Sequence, residues 1–304
     1  MHVFVTGGSG QTGPAVVAEL IAAGHTVTGL ARSEAAAARL QSLGATPHPG
    51  SLDDLDSLRS GAEAADGVLH MAYGGDFSDL DAMTRRDTSA IEALGRPLQG
   101  TGKPLVVTSG TLVMPAGRES TERDEPDTSG IAAFRIAGER ACLDFATRGV
   151  RAGVVRLAPT VHGPQDHGFI PMLIATARES GVSAYVGDGA NRWPAVHRLD
   201  AAVLFRLALE QAPAGSVLHG AAESGVTFLS IAQTIARVLD LPAVSLTPAE
   251  AATHFVSPFM AIAYAFDGPV SSARTRELLG WSPSHPTLLD DLEHGDYFAT
   301  LARP

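Results

Sequence analysis

The stretch Thr6-Gly7-Gly8-Ser9-Gly10-Gln11-Thr12-Gly13, near the start of the chain, indicates what kind of fold to expect. The apolar run Val3–Val5 precedes it, and an amphipathic segment, Pro14–Ala23, follows it. Glycines allow a tight strand-to-helix turn and a close approach of the backbone to a pyrophosphate, whose charge then lies at the helix N-terminus. Because a strand and a helix flank the glycines, the stretch predicts a dinucleotide-binding loop rather than an ordinary glycine-rich turn. The residues expected to hold the cofactor here are Gly7, Gly10, Gln11, Thr12 and Gly13.

Short apolar runs alternate with amphipathic stretches through the first half of the chain. The runs are apolar on both faces, which is typical of buried parallel strands. The alternation predicts an α/β fold of the Rossmann type, a doubly wound parallel sheet over residues 1–158. The predicted strands are Val3–Val5, Val27–Leu30, Val68–Met71, Leu105–Val107 and Gly153–Leu157. The predicted helices are Pro14–Ala23, Glu34–Leu43, Leu80–Leu94 and Ala132–Arg148.

The pattern loosens in the second half, where prolines punctuate the chain. A strand, Val217–Leu218, and a helix, Leu229–Leu239, are the clearest elements there. We expect residues 159–304 to form mainly a smaller, discontinuous substrate-binding lobe, with residues 196–222 returning to the Rossmann sheet. Because ligands of such sheets lie outside the carboxyl ends of the strands, this lobe is expected to close over the cofactor.

The end of the second strand, Leu30-Ala31-Arg32-Ser33, indicates which dinucleotide binds. Sites for NAD usually place a carboxylate here, against the ribose 2′-hydroxyl, and this stretch has none. Arg32 instead offers a guanidinium fork, and Ser33 a hydroxyl, for a 2′-phosphate. The alternative is a solvated arginine at a helix start. The stretch therefore favours NADP(H) as the cofactor.

Composition narrows the classes of partner. The net charge of −11 argues against a nucleic-acid surface and against a basic patch on a membrane. The content of 45% hydrophobic and 18% charged residues is that of an ordinary globular protein. The single cysteine, Cys142, excludes an internal disulfide and a multi-cysteine metal site, and no metal is expected. With no leader pattern and no apolar run of about 18 residues, we expect a cytoplasmic protein that takes a small-molecule substrate.

Further short motifs follow the glycine-rich loop in a characteristic order. Together they resemble those of the extended or atypical short-chain dehydrogenase/reductases, the NAD-dependent epimerase/dehydratase group, over nearly the whole chain. The resemblance implies that Leu52, Met71, Ala72 and Pro159 contact the cofactor, and it suggests a homodimer. The motifs are Ser51-Leu52-Asp53, His70-Met71-Ala72, Thr108-Ser109-Gly110-Thr111, Arg156-Leu157-Ala158-Pro159, Val161-His162-Gly163-Pro164, Trp193–Asp200 and Leu279-Gly280-Trp281-Ser282-Pro283.

One departure from the resembled family concerns its acid–base pair, a tyrosine and a lysine four residues apart on the helix after the fifth strand. Here Phe134 takes the place of the tyrosine and Gly138 that of the lysine. No shift of the alignment restores the pair, because Lys103 is the only lysine and Gln99 stands four residues before it. The usual proton donor is therefore missing.

Three side chains are the candidates for a substitute donor. Ser109, with Thr111 nearby, matches positions where the family places a hydroxyl against the substrate, although both residues could simply cap the strand end. Tyr73 follows the fourth strand and carries a phenol; the alternative is an amphipathic residue at the pocket rim. His162 replaces a motif tyrosine and carries an imidazole, a side chain that can act as an acid or a base, or it is a hydrogen-bonded loop histidine.

Other charged residues are expected to be structural or are weak candidates. Arg135 and Glu139 are one turn apart on the predicted helix, which favours an ion pair between them. In the resembled family the histidine that corresponds to His197 is usually structural, and Asp200 is the expected partner of His197. Arg192 matches a region where nucleotide-sugar enzymes of that family hold phosphate.

Three functions are compatible with these features. The first is an NADP(H)-dependent reductase of a small carbonyl or imine; an iminium carbon accepts a hydride without a proton donor, so imines suit the missing pair. The second is a non-catalytic sensor or regulator that binds NADP(H). The third is a nucleotide-sugar epimerase or dehydratase, which the missing tyrosine and lysine disfavour. The fold alone cannot choose among them.

Overall fold

Twelve β-strands are present in the computed structural model, which describes residues 1–74 and 79–298. The strands are β1 His2–Thr6, β2 Thr26–Ala31, β3 Thr46–Pro49, β4 Gly67–His70, β5 Pro104–Gly110, β6 Arg151–Leu157, β7 Thr160–His162, β8 Ser183–Val186, β9 Arg192–His197, β10 Ser216–Gly220, β11 Glu223–Thr227 and β12 Ala243–Leu246.

The same residues contain twelve α-helices. The helices are α1 Gly13–Ala22, α2 Glu34–Ser42, α3 Leu55–Glu63, α4 Leu80–Gly95, α5 Ile136–Asp144, α6 Phe169–Ser180, α7 Arg198–Gln211, α8 Phe228–Leu239, α9 Pro248–His254, α10 Pro258–Ala265, α11 Ala273–Leu279 and α12 Leu288–His294. Single 3₁₀ turns lie at Arg96–Leu98, Thr111–Val113, Ala133–Arg135 and Phe145–Arg148.

A sheet of seven parallel strands has the order β10-β6-β5-β4-β1-β2-β3 in the described residues. The helices α1 and α7 cover one face, and α3, α4 and α5 cover the other. The strand order reverses beside β1, so a crevice opens at the carboxyl ends of β1 and β4. The predicted Rossmann-type fold is confirmed.

Most of the second half forms a separate core around two small sheets, β11-β9-β7 and β12-β8. Its centre is an aromatic cluster in which Trp193 packs against Phe228 and Tyr264, with ring centroids 5.6 Å away in each case. The Trp193 indole N–H donates to the carbonyl of Ala263 at 3.1 Å, so its one polar atom is paired in the interior.

The helix predicted over Ala132–Arg148 is shorter than expected. Regular α-helix covers only Ile136–Asp144, and a 3₁₀ turn lies at each end. No side chain caps the start of α5, and Gly149 ends the last turn in the left-handed conformation with φ of 73°. The sequence pattern marks the amphipathic face but cannot locate such weakly defined ends.

Within residues 1–74 and 79–298, no helix combines the length and the apolar character that crossing a membrane requires.

Candidate active site

A cleft of about 580 Å³ lies at the crevice where the strand order reverses. We call it the central cleft. Its walls come from the glycine-rich loop after β1, the ends of β2, β5 and β6, and the segment after β4. The lining residues are Gly7, Ser9, Gly10, Gln11, Thr12, Gly13, Leu30, Arg32, Ser51, Leu52, Met71, Ala72, Tyr73, Gly74, Arg86, Thr108, Leu157 and Phe205.

The glycine-rich loop has the geometry that a pyrophosphate requires. Gly7 has φ of +76°, and a Cβ there would lie 2.6 Å from the backbone nitrogen of Ala72. A Cβ on Gly13 would lie 2.1 Å from the carbonyl oxygen of Gly7, so both glycines are needed for the turn itself. A Cβ on Gly10 would meet only that oxygen, at 3.2 Å, and would otherwise stand in open space.

The start of α1 is available to an anion. Thr12, the residue before the helix, makes no side-chain capping bond, and the first turn contains no acidic residue. The first N–H groups of the helix therefore have no intrahelical acceptor, and the helix dipole adds partial positive charge at this point. The loop and helix together suit a bound dinucleotide pyrophosphate.

The loop is tied to the C-terminal half of the chain through Gln11. Its side-chain amide donates to the carboxylate of Asp166 at 2.7 Å, and the Tyr297 hydroxyl donates to the same carboxylate at 2.7 Å. The guanidinium of Arg198 donates to the backbone carbonyl of Gln11 at 2.6 Å. Burial raises the pKa of Asp166, and the Tyr297 hydrogen bond opposes that shift.

Arg32 lines the central cleft at the end of β2, whereas Ser33 begins α2. The Ser33 hydroxyl accepts a hydrogen bond from the backbone N–H of Ala36 at 3.2 Å and so caps the helix. Its own proton can still be donated to a phosphate oxygen. Pro159 is not among the lining residues; Leu157, two positions earlier, is.

Tyr73 lines the central cleft, and the guanidinium of Arg135, which the sequence did not predict there, lies over its ring. Its hydroxyl is enclosed and has no hydrogen-bond partner within the described part of the chain. The guanidinium carbon of Arg135 lies 3.4 Å from the centroid of the Tyr73 ring, and the same guanidinium donates to the carbonyl of Thr108 at 2.6 Å. Phe134 stacks on Tyr73 with ring centroids 6.4 Å apart.

The space beside Gly138 is filled by Asp87 of α4. A Cβ on Gly138 would lie 2.4 Å from Asp87 Oδ2. The other carboxylate oxygen contacts His70 Nε2 at 3.2 Å, and His70 Nδ1 contacts the Thr6 hydroxyl at 2.8 Å. A buried polar network thus lies where the side chain of the resembled family's lysine would start.

The phenol and the guanidinium influence each other's ionisation. Burial raises the pKa of Tyr73 above its ordinary value, and the charge of Arg135 opposes the rise. Burial lowers the pKa of Arg135, and the charges of Asp87, Tyr73 and Glu139 oppose that change. A guanidinium stays charged at neutral pH, so the site holds a protonated phenol beside a fixed cation.

The hydroxyls at the end of β5 do not all face the central cleft. Neighbouring residues of a strand point to opposite faces, and Thr108 rather than Ser109 lines the cleft. Ser109 is buried, and within the described residues its hydroxyl has no partner; the same holds for the Thr108 and Thr111 hydroxyls. Ser109, the predicted donor, therefore does not line the cleft, and its neighbour Thr108, which was not predicted as a site residue, does.

His162 does not line the central cleft. It is 1% exposed on β7, and its Nδ1 lies 2.6 Å from Asp291 Oδ2. His197 packs edge-on against it at 5.4 Å and stacks on His285 at 4.8 Å. His162 and His197 therefore form one buried histidine group beside Asp291, where β7, β9 and α12 meet, and the exposed His285 stacks on its outer edge.

Two expected pairs are replaced by others. Glu139 accepts two hydrogen bonds, at 2.9 and 2.7 Å, from the guanidinium of Arg156 on β6, so the expected pair with Arg135 is wrong. Arg135 instead stacks on Tyr73 and donates to the carbonyl of Thr108.

Asp200 pairs with His285 Nδ1 at 2.7 Å rather than with His197. It also accepts from the backbone N–H groups of Ser284 and His285. Arg192, the possible phosphate ligand, forms a two-point contact with Asp267 at 2.9 Å and is already paired.

Sequence reasoning missed Arg135, Asp87 and Thr108 as parts of the site. A local signal existed only for Arg135, which directly follows the substituted Phe134. Asp87 comes from another helix, and only the packing of α4 on α5 brings it to the site. The assembled cleft can hold a dinucleotide, and Tyr73 lines it beside a fixed positive charge.

Comparison with known proteins agrees with this architecture. The family model described as NAD dependent epimerase/dehydratase family matches residues 3–219. An uncharacterized protein of Schizosaccharomyces pombe is 47% identical over 98% of this chain and 100% of its own. A protein of Stigmatella aurantiaca named 4-hydroxy-2-methyl-3-oxo-4-farnesyl-3,4-dihydroquinoline-1-oxide ketoreductase is 30% identical over 71% of this chain and 67% of its own.

Among solved structures, a dTDP-glucose 4,6-dehydratase of Streptomyces venezuelae with NAD and TYD bound superposes with a TM-score of 0.80. It is 18% identical, over 99% of this chain and 97% of that one, and therefore shows a shared fold only. The family match, the strand order and the glycine-rich loop agree with one another. The chain belongs to the NAD dependent epimerase/dehydratase family.

Proposed function

We propose that the protein is an NADP(H)-dependent reductase of a small carbonyl or imine substrate. The observation that carries this proposal is the enclosed Tyr73 hydroxyl, which lies beside Arg135 in the same cleft as the glycine-rich loop. A bound nicotinamide cofactor would supply the hydride. The name of the ketoreductase relative supports a carbonyl substrate class.

The cofactor would be held mainly by residues that line the central cleft, with Ser33 and Pro159 beside it. The backbone of Gly7–Gly13 would receive the pyrophosphate. Arg32 and Ser33 would bind the 2′-phosphate, since the stretch Leu30–Ser33 offers a guanidinium and no carboxylate at that point. The other proposed cofactor contacts are Leu52, Met71, Ala72 and Pro159.

The proton for a carbonyl oxygen would come from Tyr73. Of the three candidate donors, Tyr73 lines the central cleft, whereas Ser109 and His162 do not. In the part of the chain that the structure describes, the buried Tyr73 hydroxyl has no partner, which costs free energy, and a substrate oxygen would supply one. An imine substrate would arrive as an iminium and would need no donor at the hydride step.

The substitutions at Phe134 and Gly138 favour a second candidate, a sensor that binds NADP(H) without turnover. Both candidates use the same cleft, and turnover is what distinguishes them. We further propose that residues 159–304 supply most of the substrate site, with 196–222 belonging to the Rossmann domain.

The test is NADPH oxidation across a panel of ketones, aldehydes and cyclic imines, with wild type, Tyr73→Phe and the control Tyr185→Phe. Tyr185 lies on β8, outside the residues that line the central cleft. We expect turnover by wild type and by the control, and slower carbonyl reduction by Tyr73→Phe with unchanged NADPH affinity. Tight NADPH binding without oxidation by any substrate class would overturn the reductase and support the sensor.

A further inference from the structure

We propose that Arg135 is a positioning residue for Tyr73 and supplies the positive charge that a lysine at position 138 would otherwise provide. This inference rests on the proposed function, because it assigns a role within the same proton-donating site. The structural basis is the stacking of the guanidinium on the phenol ring at 3.4 Å. Arg135 also directly follows Phe134, the residue that replaces the family's tyrosine, so it is close in sequence to the substituted pair.

At Gly138, where the resembled family has its lysine, Asp87 occupies the space that a side chain would need. Asp87 Oδ2 stands 2.4 Å from where a Cβ on Gly138 would be, so no side chain fits there without moving Asp87. Asp87 is 5% exposed and is held by His70, which is held in turn by Thr6. The cation near the donor must therefore come from elsewhere, and within the described residues Arg135 is the one stacked on Tyr73.

The guanidinium is held in place from two sides. It donates to the carbonyl of Thr108, at the carboxyl end of β5, at 2.6 Å. Its central carbon lies over the ring of Tyr73, a position in which a cation is attracted to the π-electrons. Among the residues that the structure describes, the charge of Asp87 on α4 also acts on Tyr73, and Arg86 of the same helix lines the same cleft.

The chemical consequence is that Tyr73 is a stronger acid than it would be without Arg135, although burial still raises its pKa above the ordinary value. When a carbonyl is reduced, its carbon gains the hydride that the cofactor supplies and its oxygen gains the Tyr73 proton. The phenolic O–H bond breaks, an O–H bond forms on the product alcohol, and the phenolate then takes a proton from water. A cation stacked on the ring stabilises the phenolate charge and so favours the transfer.

The first test uses the protein without cofactor. Tyrosinate absorbance in the near ultraviolet is titrated with pH for wild type and Arg135→Met, each with and without Tyr73→Phe, so that the difference isolates Tyr73. We expect the Tyr73 transition to move up by roughly one pH unit in Arg135→Met. Arg135→Lys should keep most of the wild-type position, and Arg140→Met, which changes an exposed arginine of the following helix α5, should keep all of it.

The second test separates an electrostatic role from a merely structural one. In Arg135→Met, ketone reduction should fall by about tenfold or more. NADPH affinity and the reduction of a preformed cyclic iminium should be unchanged, because the iminium needs no proton at that step. Arg135→Lys should recover part of the ketone activity.

Two outcomes would overturn the inference: an unmoved Tyr73 transition in Arg135→Met, or equal losses with ketone and iminium. Failure of the proposed function looks different. Wild type would then reduce nothing, while the titration of the cofactor-free protein would still decide whether Arg135 acts on Tyr73.

Discussion

Arg32 carries the proposed choice of cofactor. It lines the central cleft at the place where NAD sites usually carry a carboxylate, which would repel a 2′-phosphate. A charge-assisted contact to phosphate is worth roughly 1.5–3 kcal/mol. Arg32→Ala should therefore weaken NADPH binding by about tenfold or more and leave NADH binding nearly unchanged. Calorimetric titration of both cofactors measures this, with the exposed Arg96→Ala as control. Equal affinities of wild type for NADPH and NADH would refute the assignment.

Gly10 allows a clean test of the phosphate loop. Because a Cβ at this position would meet only one backbone oxygen, at 3.2 Å, Gly10→Val should fold normally. Its side chain would stand where the pyrophosphate is expected, and nucleotide binding should be lost. Gly13→Val is the contrasting variant and should fail to fold, since its Cβ would lie 2.1 Å from a carbonyl oxygen. Circular dichroism and nucleotide titration report the two properties, and normal binding by Gly10→Val would place the phosphate elsewhere.

Helix α5 shows how packing can reverse an ordinary helix preference. Replacing glycine by alanine inside a helix usually stabilises a protein by about 0.5–1 kcal/mol. Gly138→Ala should instead lower the free energy of unfolding, because the new Cβ would displace Asp87 from His70. Urea denaturation of wild type and Gly138→Ala, repeated in an Asp87→Ala background, measures the coupling between the two positions.

The clash with Asp87 should vanish in the Asp87→Ala background, and Gly138→Ala should then be neutral or stabilising. Stabilisation by Gly138→Ala in the wild-type chain would contradict this account. The same geometry implies that a tyrosine at 134 and a lysine at 138 cannot restore the usual acid–base pair while Asp87 keeps its place.

The elements themselves differ in how far the sequence could predict them. The glycine-rich loop and the apolar strands were predictable because their signals are local. The strand β3, Thr46–Pro49, was missed because it is short, carries two prolines and lies at the edge of the sheet. The expected ion pair between Arg135 and Glu139 failed because Glu139 finds its partner, Arg156, on β6.

The candidate site was predictable only in part for the same reason. Nine of the eleven predicted cofactor residues line the central cleft, since they belong to motifs that end strands; Ser33 and Pro159 are the exceptions. The pairing of Tyr73 with Arg135 joins residues far apart in sequence, and only the assembled fold brings them together. The sequence around His162 could not show that this residue lies away from the cleft, because its partner, Asp291, is 129 residues away.

The buried histidine group should make the stability of the whole molecule sensitive to acid. Burial lowers the pKa of His197 from 6.5 to about 4, and Asp291 opposes the shift. The unfolded chain therefore takes up this proton as the pH falls below about 6.5, while the folded protein does so only near pH 4. The neutral His197 ring therefore makes its full contribution to the free energy of unfolding above about pH 6.5. As the pH falls from there to about 4, this free energy decreases by roughly 2–3 kcal/mol.

Urea denaturation at a series of pH values across this window checks the prediction. His197→Asn removes the titrating ring and retains a side chain that can cap α7, as the His197 ring does through Leu199 N–H. We expect the variant to lose less stability than wild type as the pH falls from 6.5 to about 4. The same slope in both proteins would show that His197 does not titrate as described.

The central claim is that the cleft of this chain supports hydride transfer without the tyrosine–lysine pair. The most direct measurement uses NADPH labelled with deuterium at the transferring carbon, incubated with wild type and the best substrate of the panel, with mass spectrometry of the product. We predict one deuterium atom on the former carbonyl or imine carbon, and less labelled alcohol from Tyr73→Phe with a ketone. NADPH bound tightly in the cleft with no deuterium in any product would contradict the claim.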